Sequence, residues 1–276
     1  MFYPGIFQYR KHIEVLPICY DMLHPGSKYP GWQCPVSDGV IVKYRNVVWD
    51  WNGTLFEDMN ACIEAMNRLL EQRNLPRISG IDEYRSKFCF PVIKYYERLG
   101  FDLKNDPFEG LARMYIANYA VEYKKAGLFD GAVEVLEQLK RAGIRQYVIS
   151  AAEQNSLLEQ MSPFGIGHYF EAVIGTDNHY AYSKAASAKQ WCCNGRIDSA
   201  ETVFIGDSVH DFETAAEVGC PCILIANGHQ NTDELRRVSG QVPRSSRPCW
   251  HQNTDELRRV SAAVVSNISE TVGLLI

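Results

Sequence analysis

The feature that most constrains this chain is a series of short, β-branched apolar runs bounded by turn or polar residues. They are NVVWD (46–50), QYVIS (146–150), EAVIG (171–175), TVFIGD (202–207) and CILIA (222–226). Their hydrophobicity is continuous rather than alternating, as in parallel strands covered on both faces. Helical patterns separate the later runs. GAVEVLEQLKRAG places Val133, Leu136 and Leu139 at helical spacing and ends at Gly143, and EQNSLLEQMSPFG and HDFETAAEVG read the same way. Strands alternating with helices predict an α/β fold, a doubly wound parallel sheet.

Almost a hundred residues separate the first run from the second, too many for one crossover. Within them MNACIEAMNRLLEQRN, IDEYRSKF, PVIKYYERLG and PFEGLARMYIANYAVEYKKAG are all helix-like. They predict a helical subdomain inserted after the first strand, aromatic-rich and with a core of its own. The expected organisation is an N-terminal extension (1–45), an α/β core (46–56 and 129–228), the helical insert (57–128) and a C-terminal tail (229–276). The tail contains HQNTDELRRVS twice, at 229–239 and 251–261, joined by a Pro/Arg/Ser-rich stretch. Each copy has Asn three places before Glu, a capping-box spacing that predicts a helix start. Two copies without a third read as a local duplication, not a solenoid.

Composition narrows the partners. A formal net charge of -5 leaves no basic footprint for nucleic acid. No apolar run approaches the ~18 residues of a membrane span, and the first residues carry no secretory pattern. The nine cysteines are odd in number and form no Cys-x-x-Cys pair. They read as reduced thiols of a cytoplasmic protein, mostly small core residues. The histidines at 168, 210, 229 and 251 have no ligand spacing and read as surface or loop residues.

The chemistry sits at the ends of the runs, where an open parallel sheet binds its ligands. Asp50 ends the first, Ser150 the second and Asp207 the fourth, and GDSVHD adds Asp211 one helical turn on. Carboxylates gathered at one sheet edge repel unless a cation joins them, and hard oxygen donors suit Mg²⁺. An aspartate at such a cation can attack phosphorus. Ser150, expected at a helix N-terminus, can donate to phosphate oxygens, and YSKAA offers Lys184 just after the third run.

DWNGTL, VISA, SK and GDSVHD, in this order on these strand ends, resemble the motifs of the haloacid dehalogenase-like hydrolases, in particular the phosphoglycolate-phosphatase-like branch, over roughly Asn46 to Asn227. The resemblance implies a Rossmann-like core with Asp50 as nucleophile and metal ligand. It implies Mg²⁺ bound by Asp50, the backbone carbonyl of Asn52, Asp207 and Asp211. Thr54, Ser150, Ala151 and Lys184 would hold the phosphate, and the inserted helices would form a cap that closes over the substrate.

One position departs from the pattern. Asn52 stands where the family has a second Asp that protonates the leaving oxygen and later deprotonates water. An amide does neither, and losing a positioned acid/base typically costs ~10²–10⁴-fold. Leaving groups that need little acid help, such as aryl or acyl phosphates, would escape that cost, as would a proton donor from the cap.

The resulting expectation is a Mg²⁺-dependent phosphatase of small phosphorylated metabolites, phosphoglycolate-like or a sugar phosphate, acting through an aspartyl-phosphate as a monomer or homodimer. The alternatives are a weakly active or inactive phosphate-binding regulator, in which Asn52 marks lost turnover, and a phosphomutase, against which Asn52 argues.

Overall fold

The computed structural model describes residues 43–177, 184–195, 197–239 and 262–276, all within one compact unit, residues 41–276. Most of the 1–45 extension and the second copy of HQNTDELRRVS lie outside the described residues.

Six parallel strands form the central sheet. In chain order they are β1 (Asn46–Trp49), β4 (Arg145–Glu153), β5 (Phe170–Thr176), β6 (Thr202–Gly206), β7 (Cys222–Ile225) and β8 (Ala262–Val265); β2 (Phe56–Glu57) and β3 (Gly127–Leu128) pair separately and antiparallel. The spatial order is β5-β4-β1-β6-β7-β8. From β1 the chain moves to β4 and β5 on one side, and from β6 to β7 and β8 on the other. The order therefore reverses between β1 and β6, whose residues pair from Asn46 with Thr202 to Trp49 with Ile205.

Alternation along the strands explains the unbroken apolar runs. Val47 and Trp49 enter one core with Val148, Ile205 and Ile223. Val48 enters the opposite core with Ile149, Phe204 and Leu224. Helices α5 (Ala132–Arg141), α6 (Gln154–Met161), α7 (Lys184–Gly195), α8 (Val209–Val218), α9 (Thr232–Ser239) and α10 (Val272–Leu275) accompany the sheet. On α5 the buried stripe is Ala132, Val135, Leu136 and Leu139, while Val133 is exposed. The i, i+3, i+4, i+7 face begins one residue earlier than the expected one. The tail carries an edge strand that its short, small-residue segment AAVV did not signal.

Between β2 and β3 run α1 (Met59–Glu71), α2 (Ile81–Lys87), α3 (Val92–Arg98) and α4 (Phe108–Glu122). They enclose a separate core built on Met66, Leu69, Leu70, Tyr84, Tyr96 and Leu111. The β2–β3 ribbon pairs Phe56 with Leu128 and Glu57 with Gly127, joining both ends of the insert to the sheet at one place.

No helix among the described residues is long and apolar enough to cross a membrane. Cys62, Cys89, Cys192, Cys220 and Cys222 are free and buried. Cys193 is disulfide-bonded, a departure from the all-reduced expectation. Cys192 turns into the core, whereas Cys193, one step around α7, is only half-buried and reachable by another thiol.

Candidate active site

The strand order brings Asp50 and Asp207 to adjacent strand ends at the reversal point. Asp50 follows β1 directly, and its backbone amide donates to the Ile205 carbonyl at 2.8 Å. Asp211 comes from the first turn of α8, where it closes a capping box with Ser208: the Ser208 backbone amide donates to Asp211 Oδ2 at 3.0 Å. Asp50, Asp207 and Asp211 offer carboxylate oxygens that all lie within 4.8 Å of one another. Lys184, the first residue of α7, inserts its ammonium between them and bonds both Asp50 and Asp211.

Two glycines allow this crowding. Gly53 holds φ +74°, and a Cβ there would approach Asp207 Oδ2 to 2.5 Å. At Gly228 a Cβ would meet the same oxygen at 2.2 Å, so no larger residue fits beside Asp207.

Burial and crowding move these acids away from their ordinary range. Burial, with Asp211 and Asp207 nearby, pushes the Asp50 carboxyl up to about 8 despite Lys184. Burial pushes Asp207 to about 6 against the pull of His229. Burial opposes the charge of Asp211 too, but Lys184 holds it below the usual carboxylate range. Lys184 is raised although burial disfavours its charge, because two carboxylates face it. Three hard oxygen donors whose repulsion a divalent ion would relieve make a donor set that fits Mg²⁺.

Around them lies a cavity of about 750 Å³ between sheet and insert. Asp50, Asn52, Ser150, Ala151, Lys184, Asp207 and Asp211 line it. Thr54 does not. It is fully buried, with its hydroxyl 3.4 Å from Asp50 Oδ2 and 3.5 Å from Asp207 Oδ1. Ser150 lies inside β4 rather than at a helix N-terminus, because β4 continues to Glu153, whose side chain caps α6. The β4–β5 register slips between Ile149 and Glu153, and the Ser150 hydroxyl accepts from the Ala152 amide at 3.1 Å.

Beside Asn52 stands a second cluster that the sequence reading missed. Asp58, only 1 % exposed, accepts from the Asn52 side-chain amide at 2.8 Å, the Gly53 backbone amide at 3.1 Å and the Tyr119 hydroxyl at 2.6 Å. His229 Nε2 lies 3.2 Å from the other face of the group, Asp58 Oδ1, and its Nδ1 meets the Tyr84 hydroxyl at 2.9 Å. Burial alone would lower the His229 pKa, but Asp58, with Asp207 and Asp50, raises it to about 9. Burial would raise Asp58, yet His229 and its hydrogen-bond donors hold it below the usual range. His229 is therefore no surface histidine: its backbone amide binds Asp207 and its ring forms a buried ion pair. His210 also lines the cavity, with its ring 5.3 Å from that of Phe90. The signals were present: Asp58 closes NVVWDWNGTLFED, and His229 follows the carboxyl end of β7.

The insert grips this loop. Arg85 on α2 donates to the Gly228 carbonyl at 2.8 Å and also to that of Asn227. The cluster thus ties α1, α2 and α4 to the strand ends.

Residues 47–225 match the family model for haloacid dehalogenase-like hydrolases. Among curated proteins, a phosphoglycolate phosphatase of Caulobacter vibrioides is 28 % identical, over 66 % of this chain and 79 % of its own. A 5'-nucleotidase of Pseudomonas aeruginosa is 23 % identical, over 71 % of this chain and 88 % of its own. Among solved structures, a haloacid dehalogenase-like family hydrolase of Streptococcus pneumoniae superposes with a TM-score of 0.66 at 15 % identity, covering 84 % of this chain and 99 % of its own, a likeness of fold.

Proposed function

The chain belongs to the haloacid dehalogenase-like hydrolases, and on that premise we propose that it is a phosphatase that cleaves small phosphomonoesters in two steps through a phosphorylated Asp50. The observation that carries this reading is the meeting of Asp50, Asp207, Asp211 and Lys184 at the one sheet edge where strand order reverses.

In this reading Asp50, Asp207, Asp211 and the Asn52 backbone carbonyl would hold Mg²⁺, which would supply charge neutralisation for the phosphate and the acids. Asp50 attacks phosphorus and the leaving oxygen departs; water then cleaves the acyl phosphate. Lys184, Ser150 and Ala151 hold the phosphate oxygens. Thr54, set behind the acids, orients Asp50 and Asp207. Helices α1–α4 act as the cap that covers the substrate and excludes water.

Mg²⁺-dependent release of product from p-nitrophenyl phosphate, with a pre-steady-state burst and no turnover in Asp50→Asn, is the expected result. A fully active Asp50→Asn variant contradicts the assignment. A second reading, a phosphate-binding regulator of low turnover, draws on Asn52, which is held as a hydrogen-bond donor to Asp58 instead of serving as an acid. Binding of Mg²⁺ and inorganic phosphate with no turnover of any ester would favour it.

A further inference from the structure

We propose that the substrate of this site is an aryl phosphate, the phosphomonoester of a phenolic hydroxyl on an apolar ring system without negative charge. This rests on the phosphatase reading above and names a substrate class for it. Two independent observations converge on it: the wall of the cavity and the residue at position 52.

The cavity extends from the acids into the insert, where Phe88, Phe90, Tyr95, Tyr96, Phe108 and Tyr115 line it. No lysine or arginine of the insert lines it among the described residues; the groups able to carry positive charge, Lys184, His210 and His229, all come from the sheet side. The remaining charges in the wall include Glu153, Glu159, Glu213 and Glu217. A small substrate such as phosphoglycolate would bring a carboxylate, besides its phosphate, into this wall. It would lose its water and meet acids and aromatic faces, and no lysine or arginine of the insert would replace the solvent. A ring instead stacks edge or face against aromatic partners and buries apolar surface. The Tyr95 hydroxyl and His210 Nε2, both on lining residues, are buried with no hydrogen-bond partner among the described residues, so a polar substituent on the ring has two groups to meet.

The second observation is chemical. Asn52 cannot protonate a leaving oxygen, and its amide is already committed to Asp58 and to the Tyr119 hydroxyl. An alkoxide leaving group needs that proton; a phenolate, whose conjugate acid ionises near ~10, does not. Asp50 attacks phosphorus, the P–O(aryl) bond breaks, and its electron pair leaves on the phenolate oxygen, which takes a proton from solvent. Water then attacks the phosphorus of the acyl phosphate. The P–O(Asp50) bond breaks, regenerating the carboxylate, and both protons of the water leave on the released phosphate, which exchanges them with solvent.

The test compares kcat/KM of the full chain with Mg²⁺ on 1-naphthyl phosphate, phenyl phosphate, benzyl phosphate and phosphoglycolate, with Asp50→Asn as the blank. Acetyl phosphate is the control for the parent reading, because it needs no acid and makes no demand on the cap. Naphthyl phosphate should exceed phosphoglycolate by ~10²-fold or more, and phenyl should exceed benzyl by about 10²–10³-fold. Phe90→Arg, at a partly exposed cap position, should cut the naphthyl-to-phosphoglycolate ratio about tenfold while melting like the wild type. Asp50-dependent cleavage of acetyl phosphate together with phosphoglycolate or benzyl phosphate turned over as fast as the aryl esters overturns the substrate assignment and leaves the phosphatase reading intact. Failure to cleave any of the five compounds overturns both.

Discussion

The side-chain amide of Asn52 and the carboxylate of Asp58 meet at 2.8 Å, with the Tyr119 hydroxyl bonded to both. Position 52 is thus fixed as a donor by an anion behind it, and that anion is balanced by His229. The amide at position 52 is part of a charge network that reaches His229.

Replacing Asn52 by Asp would set two carboxylates against each other at this contact. Repulsion raises the pKa of the newcomer and keeps a proton available. Turnover of an alkyl ester such as benzyl phosphate should rise, on the order of 10²-fold, and rise less in Asn52→Asp/Asp58→Asn, where the charge that holds the proton is gone. Phenyl phosphate should gain much less. Steady-state kinetics on the two esters decides it; an unchanged or lower benzyl rate in both variants contradicts the argument.

Metal binding should grow tighter with pH. Asp50 and Asp207 are raised, to about 8 and about 6 from an ordinary 3.8. A carboxylate raised on folding lowers stability as pH climbs from its ordinary value through its folded one. In chelator, stability contributed by these groups is therefore lost between about pH 4 and pH 8. Mg²⁺ competes with those protons, so its stabilisation should increase across the same window, reaching roughly 2.7 kcal/mol at a hundred times its Kd. Melting curves with and without Mg²⁺ at several pH values test this, and Asp207→Asn should abolish the difference.

The Asp58–His229 pair gives a different profile. A histidine raised from 6.5 to about 9 contributes stability that is fully present below pH 6.5 and lost as pH rises through about 9. Removing one partner, in Asp58→Asn, leaves the other buried and uncompensated, at a cost of about 3–5 kcal/mol. Urea midpoints in chelator should show the alkaline fall in the wild type and its absence in Asp58→Asn.

Arg85 should control closure more than chemistry. Arg85→Ala removes a charged donor from two carbonyls of the loop that precedes His229. Bonds to charged groups are worth about 1.5–3 kcal/mol, so KM should rise roughly tenfold or more with kcat little changed. A fall in kcat at constant KM would place Arg85 in the chemical step instead.

The sheet was legible because β-branched runs covered on both faces leave an unbroken apolar signal, as Val47 through Trp49 illustrate. β8 was not, since Ala262 and Ala263 give an edge strand little hydrophobic contrast. Asp50, Asp207 and Asp211 could be read from strand ends because strand order dictates where strand ends meet. Asp58 and His229 each carried a local signal, but their pairing could not be read: they lie 171 positions apart, and only the fold of the insert against the β7 loop makes them partners. The misplaced face of α5 has a local cause. Val133 is as apolar as Val135, and only packing distinguishes them.

The hold that α2 keeps on the loop after β7 has one further effect. Tyr84 touches the His229 ring while the neighbouring Arg85 pins the backbone just before it. Swinging the lid aside would therefore strip the imidazolium of its hydroxyl partner and admit water to the Asp58 pair. Under the cap role proposed above, opening would change the electrostatics of the reaction chamber together with its access to water.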